Sequence, residues 1–110
     1  MKKNINAALK TVFFESINRG TKKTEYREMS QYWIEKIVDF SHYPGKSWEE
    51  IRNILVAGGK LYWNKYKTIT FFNNNRHITM EIKDIITADH HTSFAIKLGK
   101  RVNENVNIYE

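Results

Sequence analysis

The chain has 110 residues, no cysteine, one proline and a formal charge of +6. A chain of this length is expected to form one domain (1–110, with a core over about 5–100 and a polar tail over 101–110), and it can bury roughly two-thirds of its unfolded surface without staples. The lack of cysteine excludes a disulfide scaffold, thiolate zinc ligation and a cysteine nucleophile, and it fits a cytoplasmic protein. No apolar run approaches the ~18 residues of a membrane span, so no membrane partner is expected. The basic start Met1-Lys2-Lys3-Asn4-Ile5-Asn6 has no apolar segment behind it and does not read as a signal peptide. The positive balance favours an anionic partner, of which nucleic acid is the commonest. The aromatic content of 14% supplies rings on which single-stranded bases can stack, although most are expected in the core.

In chain order, Ile5 to Leu9 reads as an opening strand. Thr11 to Asn18 reads as a helix with Val12, Phe13, Phe14 and Ile17 on its apolar face, stopped at Arg19-Gly20. Lys23 to Arg27 is extended. Ser30 caps a helix over Gln31 to Phe40, in which Trp33, Ile34, Ile37 and Val38 recur at helical spacing. Ser41 to Gly45 is turn chemistry, and Ser47 with Glu50 has capping-box spacing ahead of Ile51, Ile54 and Leu55. Gly58-Gly59 ends that helix.

The second half changes period. Thr68 to Phe72 is β-branched and aromatic, and Asn73-Asn74-Asn75 turns the chain. Ile78 to Ile85 alternates until a phase break near Lys83-Asp84, where a bulge would fit. Asp89-His90-His91 turns again, Ser93 to Leu98 is a strand that Gly99 closes, and Val106 to Tyr109 either adds an edge strand or stays loose. Helices early and strands late indicate an α+β fold with an antiparallel sheet.

The densest chemistry lies in Gly20-Thr21-Lys22-Lys23-Thr24-Glu25-Tyr26-Arg27. On an extended backbone Lys23, Glu25 and Arg27 share one face, and Tyr26 falls on the other, where it is expected to join the core. Such a mixed-sign cluster is costly to assemble unless its members pair with each other or with a ligand. Two readings of Glu25 and Arg27 stand: a structural ion pair, or a fork and an acceptor facing a ligand. Lys22 suits phosphate binding or base chemistry. Arg76 and His77 follow the asparagine turn, and Arg76 joins the candidate nucleic-acid-binding set of Lys22, Lys23, Glu25 and Arg27. His90 and His91 are adjacent, with no spaced third ligand, so no metal site is expected. Trp33, Trp48 and Trp63 read as helix-face core rather than base-stacking groups, with Trp63, between Tyr62 and Asn64 in a basic stretch, the best exception. No P-loop, dinucleotide fingerprint or nucleophile elbow occurs, and no cofactor is expected.

The octad, with glycine, lysine, glutamate and arginine at GxKxxExR spacing, resembles the signature of the ASCH (ASC-1 homology) domain family of the PUA-like superfamily. Phe14 to Arg19, Glu25 to Glu28 with Tyr32-Trp33-Ile34, Ile69-Thr70-Phe71, Met80 to Ile85 and Phe94 to Gly99 extend the likeness to a small phage and bacterial subgroup. The resemblance implies a PUA-like, small, mostly antiparallel β-barrel with helices on one side and a cleft at the signature. It implies a module that binds RNA or a nucleotide. It also implies, as an alternative, a hydrolase acting on N4-acylcytidine-type nucleosides or an RNA-cleaving enzyme, with Lys22 and Glu25 catalytic. Where the amidohydrolase type carries a threonine, this chain has Glu25, and a carboxylate cannot serve as that hydroxyl nucleophile. A third reading is an interaction protein whose barrel binds another protein.

Overall fold

The computed structural model describes residues 4–102; the 106–109 segment and most of the polar tail lie outside that range. The elements are β1 (Asn4–Ala8), α1 (Thr11–Asn18), β2 (Thr24–Glu28), α2 (Gln31–Ile37), a 3-10 turn (Phe40–His42), α3 (Trp48–Val56), β3 (Thr68–Asn73), β4 (Arg76–Ala88) and β5 (Ser93–Arg101). The class is α+β, as the segregation of helices and strands predicts. The strands form a five-stranded sheet in the order β1-β3-β4-β5-β2. The sheet is mixed, because β1 runs parallel to β3 while β3 and β4 are antiparallel. The chain divides into two units. Among the described residues one is built on 4–25, 66–84 and 97–102; the other is built on Tyr26–Lys65 and Ile85–Ile96.

In the first unit, register aligns the inward side chains. Ile5 lies beside Ile69 and Ala7 beside Phe71 across the parallel pair, and Ile69 meets Met80 and Phe71 meets Ile78 across the hairpin. All are buried, and full burial of each large one is worth about 1.5–3 kcal/mol. On the other side of the same strands a polar ladder satisfies its own groups. Thr68 and Thr70 donate to Asn4 Oδ1 (2.8 and 3.2 Å), and the Thr70 and Thr79 hydroxyls lie 2.8 Å apart.

Helix α1 buries only Phe14 and Ile17, while Val12 and Phe13 are 63% and 46% exposed. Three consecutive apolar residues cover about 200° of a helix, more than one face can bury. In β4, Ile78, Met80 and Ile85 are buried, and two successive exposed residues, Lys83 and Asp84, mark the phase break. Gly99 does not close β5, which runs on to Arg101. A Cβ at Gly99 would sit 2.9 Å from Glu81 Oε1 and 3.0 Å from Lys83 Cγ, so the glycine admits the neighbouring strand's side chains. The adjacent Lys100 N–H donates to Glu81 Oε1 (3.1 Å). The turn before β5 places Asp89, His90 and His91 at positive φ.

In the second unit α2 ends at Ile37 rather than Phe40, because Val38 adopts extended backbone (ψ 138°) and forms a bridge with Trp63. Ser30 caps α2 by accepting from Trp33 N–H. α3 opens with the full capping box: Ser47 Oγ accepts from Glu50 N–H (3.1 Å), and the Glu50 carboxylate accepts from Ser47 N–H (2.8 Å). Ile51 and Leu55 point into a core that also holds Ile34, Ile37 and Phe94. Gly58 stops the helix at φ +95°. The buried Tyr43 pins the chain beyond it, its hydroxyl donating to the Lys60 carbonyl (2.7 Å) and accepting from Tyr62 N–H (3.1 Å).

Tyr43→Phe is expected to lower stability by about 1–3 kcal/mol, since it leaves the Lys60 carbonyl and Tyr62 N–H without that partner. A denaturant melt that superimposes on the wild type contradicts this. The hydrogen bond from the Ser47 backbone holds the Glu50 carboxyl below its ordinary value of 4.5. The folded state therefore binds this proton less tightly than the unfolded chain. The resulting stability is complete above about 4.5 and is lost as pH falls through the lowered folded value. Glu50→Gln keeps an acceptor for Ser47 N–H, so it should remove this acid-side slope from a melting-temperature profile while leaving α3 intact. An unchanged slope would refute the assignment.

Candidate functional site

The signature begins where α1 stops. Gly20 takes φ +81°, which an L side chain disfavours. Gly20 N–H donates to the Ile17 carbonyl (3.0 Å) and Thr21 N–H to the Ser16 carbonyl (3.0 Å), the paired bonds of a Schellman turn. Thr21 Oγ1 and Lys22 N–H also donate to Ser16 O, at 3.1 and 3.2 Å. These bonds fix the chain direction through Lys22, after which Thr24 starts β2.

Glu25 is 5% exposed. Its Oε1 lies 3.4 Å from Lys22 Nζ, and the Lys22 side chain is 19% exposed. The same amine stands 5.4 Å from the centroid of the Phe13 ring. The exposed Phe13 left over from the α1 face thus acquires a role: it roofs a lysine whose other side meets a buried carboxylate. At this depth screening is weak, and the desolvation of both charges offsets much of their attraction. Lys22 rather than Lys23 approaches Glu25, because Lys23 precedes the strand and is exposed.

Tyr26 is 52% exposed rather than part of the core. Strand alternation forces this once Glu25 points inward. Composition alone favours the opposite phase, with the phenol in and the carboxylate out. The inward Glu25 has the Lys22 amine 3.4 Å from its Oε1.

The other predicted residues occupy separate settings. Lys23 lines a depression of about 570 Å³ with Glu81, Lys83 and Lys100, an arrangement with an excess of amines that suits a phosphate. Arg76 is held by Glu15 (2.8 Å) and lies over the Phe14 ring (4.5 Å). It borders a depression of about 330 Å³ that also contains Arg101, itself donating to Asn18 Oδ1 (2.9 Å). In the second unit, Arg27 is half-buried and its guanidinium lies 5.0 Å from the Trp33 ring centroid. Among the described residues there is no group of three or more His, Cys, Asp or Glu able to hold a metal. His91 instead engages the Thr87 hydroxyl through Nδ1 (2.9 Å).

The sequence reading singles out Lys22 and Glu25, which lie together, but not the rings beside Lys22 and Arg27 (Phe13 and Trp33) or the companions of Lys23. The available signals were the surplus apolar residue in α1 and the charged side chains of β4, where Glu81 and Lys83 alternate with Met80 and Ile82. Compared with protein-family models, curated proteins and solved structures, the chain matches none.

Lys22→Met removes a cation from beside a buried carboxylate and is expected to cost roughly 1–3 kcal/mol. Adding Glu25→Gln should restore part of that loss, because the buried charge goes with it. Urea melts of the two single variants and the double variant measure this, and strictly additive losses would show that the pair is not coupled.

Proposed function

We propose that the protein is an ASCH-type, PUA-like module that binds RNA or a nucleotide at the signature, in a cytoplasmic setting. The observation that carries this reading is the Lys22–Glu25 pair at 3.4 Å, beneath the exposed Phe13 ring. An amine, a carboxylate acceptor and an aromatic face in one place match the phosphate, exocyclic amine and ring of a nucleotide. Within the same unit, Lys23 stands among further lysines in its own depression. The charge of +6 supports an anionic partner.

A hydrolase reading is favoured by the same pair, since a buried carboxylate next to an amine is also an acid–base arrangement. In that reading Lys22 serves as base or electrostatic stabiliser and Glu25 as its acid–base partner, acting on an N4-acylcytidine-type nucleoside or an RNA strand.

Fluorescence anisotropy with labelled single-stranded RNA tests the binding reading. Affinity should fall linearly in log–log against salt, and Lys22→Gln should weaken it by about tenfold, or ~1.4 kcal/mol, with the fold retained by circular dichroism. No binding at low salt, or binding indifferent to Lys22→Gln, overturns the assignment. Turnover of acylated cytidine or short RNA that Lys22→Gln abolishes supports the hydrolase instead.

A further inference from the structure

The segment 60–65 is irregular, yet its backbone is pegged at nearly every second residue. Besides the Tyr43 hydroxyl bonds at Lys60 and Tyr62, Asp39 N–H donates to Tyr62 O (2.8 Å) and Asn64 N–H donates to Ile37 O (2.8 Å). The Asn64 side-chain amide donates to the carbonyls of Lys36 (3.3 Å) and Val38 (3.1 Å). Backbone held this firmly outside a helix or strand presents its side chains in fixed positions. Here they line a depression of about 340 Å³, together with Asp39 and His42.

The arrangement is mainly aromatic and cationic. His42 stacks on Tyr62 with centroids 4.1 Å apart and planes within 2°. The Lys60 amine lies 5.1 Å from the Tyr62 centroid, and the Lys65 amine lies 5.1 Å from the Trp63 centroid. The Asp39 carboxylate is already engaged, since its Oδ1 accepts from Ser41 N–H (3.1 Å) and Ser41 Oγ (2.7 Å). Its other oxygen is 3.8 Å from His42 Nε2. Those Ser41 bonds hold the Asp39 carboxyl below its ordinary range, so it stays ionised.

We propose that this depression is a nucleotide-unit site, with a base stacked on Trp63 and its phosphate held by Lys60 and Lys65. An exposed amine resting on an indole face makes a weak contact. A planar base gains more on the same face, and the displaced Lys65 amine then reaches outward to the phosphate that accompanies the base. Tyr62 is braced by His42 on one side and serves as the wall. The unit can come from a free mononucleotide or from a single strand. The site lies wholly in the second unit and does not depend on the reading of Lys22 and Glu25.

Two-dimensional ¹⁵N–¹H spectra of the full chain test it, with the Trp63 indole signal assigned by its loss in Trp63→Phe. Adenosine monophosphate should shift that signal and the 60–65 amides saturably, and more tightly than adenosine, while inorganic phosphate should not move the indole. Trp63→Leu should weaken the mononucleotide by about tenfold or more, the size of one base–ring stack. Lys60→Gln with Lys65→Gln, both at exposed positions, should abolish the preference of the monophosphate over adenosine even if Trp63→Leu fails to fold. Single-stranded hexaadenylate binding more tightly than the monophosphate assigns the unit to a strand, and equal affinity assigns it to a free nucleotide. An unmoved indole signal at millimolar monophosphate, equal shifts with phosphate alone, or an undiminished preference in the double lysine variant overturns the proposal.

Discussion

A carboxylate turned into the protein at the start of an outer strand sets the terms for everything around it. Glu25 is 5% exposed, and burying that charge alone would be prohibitive. The cation arrives because α1 ends in a tight turn at Gly20, whose hydrogen bond to Ile17 and the bond from Thr21 to Ser16 reverse the chain within a few residues. Lys22 then lies 3.4 Å from Glu25. With Glu25 turned inward, strand alternation exposes Tyr26, and the surplus aromatic of α1 lies against the amine.

The two units place chemistry outward by different means. The first uses regular structure: aligned strands with an apolar ladder on one side and a threonine–asparagine ladder on the other. The second uses a non-regular segment, made stiff by the Tyr43 hydroxyl and the Asn64 amide. In each, lysines stand beside aromatic rings.

Much of this was legible in the amino-acid order wherever the determinants are local. Helix α1, the Ser30 cap and the Ser47–Glu50 box depend on neighbours within four residues, and each is present. The phase break in β4 was visible as an odd step between Ile82 and Ile85. What escaped depends on partners distant in the chain. Gly99 reads as a stop until Glu81 and Lys83 are placed across from it, and α2 reads three residues too long until Val38 meets Trp63. The parallel pairing of β1 with β3 has no local signature, because the chain between them carries other elements. At the candidate site the Lys22–Glu25 spacing was readable, whereas the inward phase of Glu25 was not. It required weighing a buried charge with its partners against a buried phenol.

The central claim is that Glu25 and Lys22 meet the ligand. The most direct measurement follows the ¹³C carboxyl resonance of Glu25 and the ¹⁵N ammonium resonance of Lys22 as single-stranded RNA is added. Both are predicted to shift and to saturate together with the anisotropy signal of the RNA. RNA that binds while both resonances stay unmoved would contradict the account.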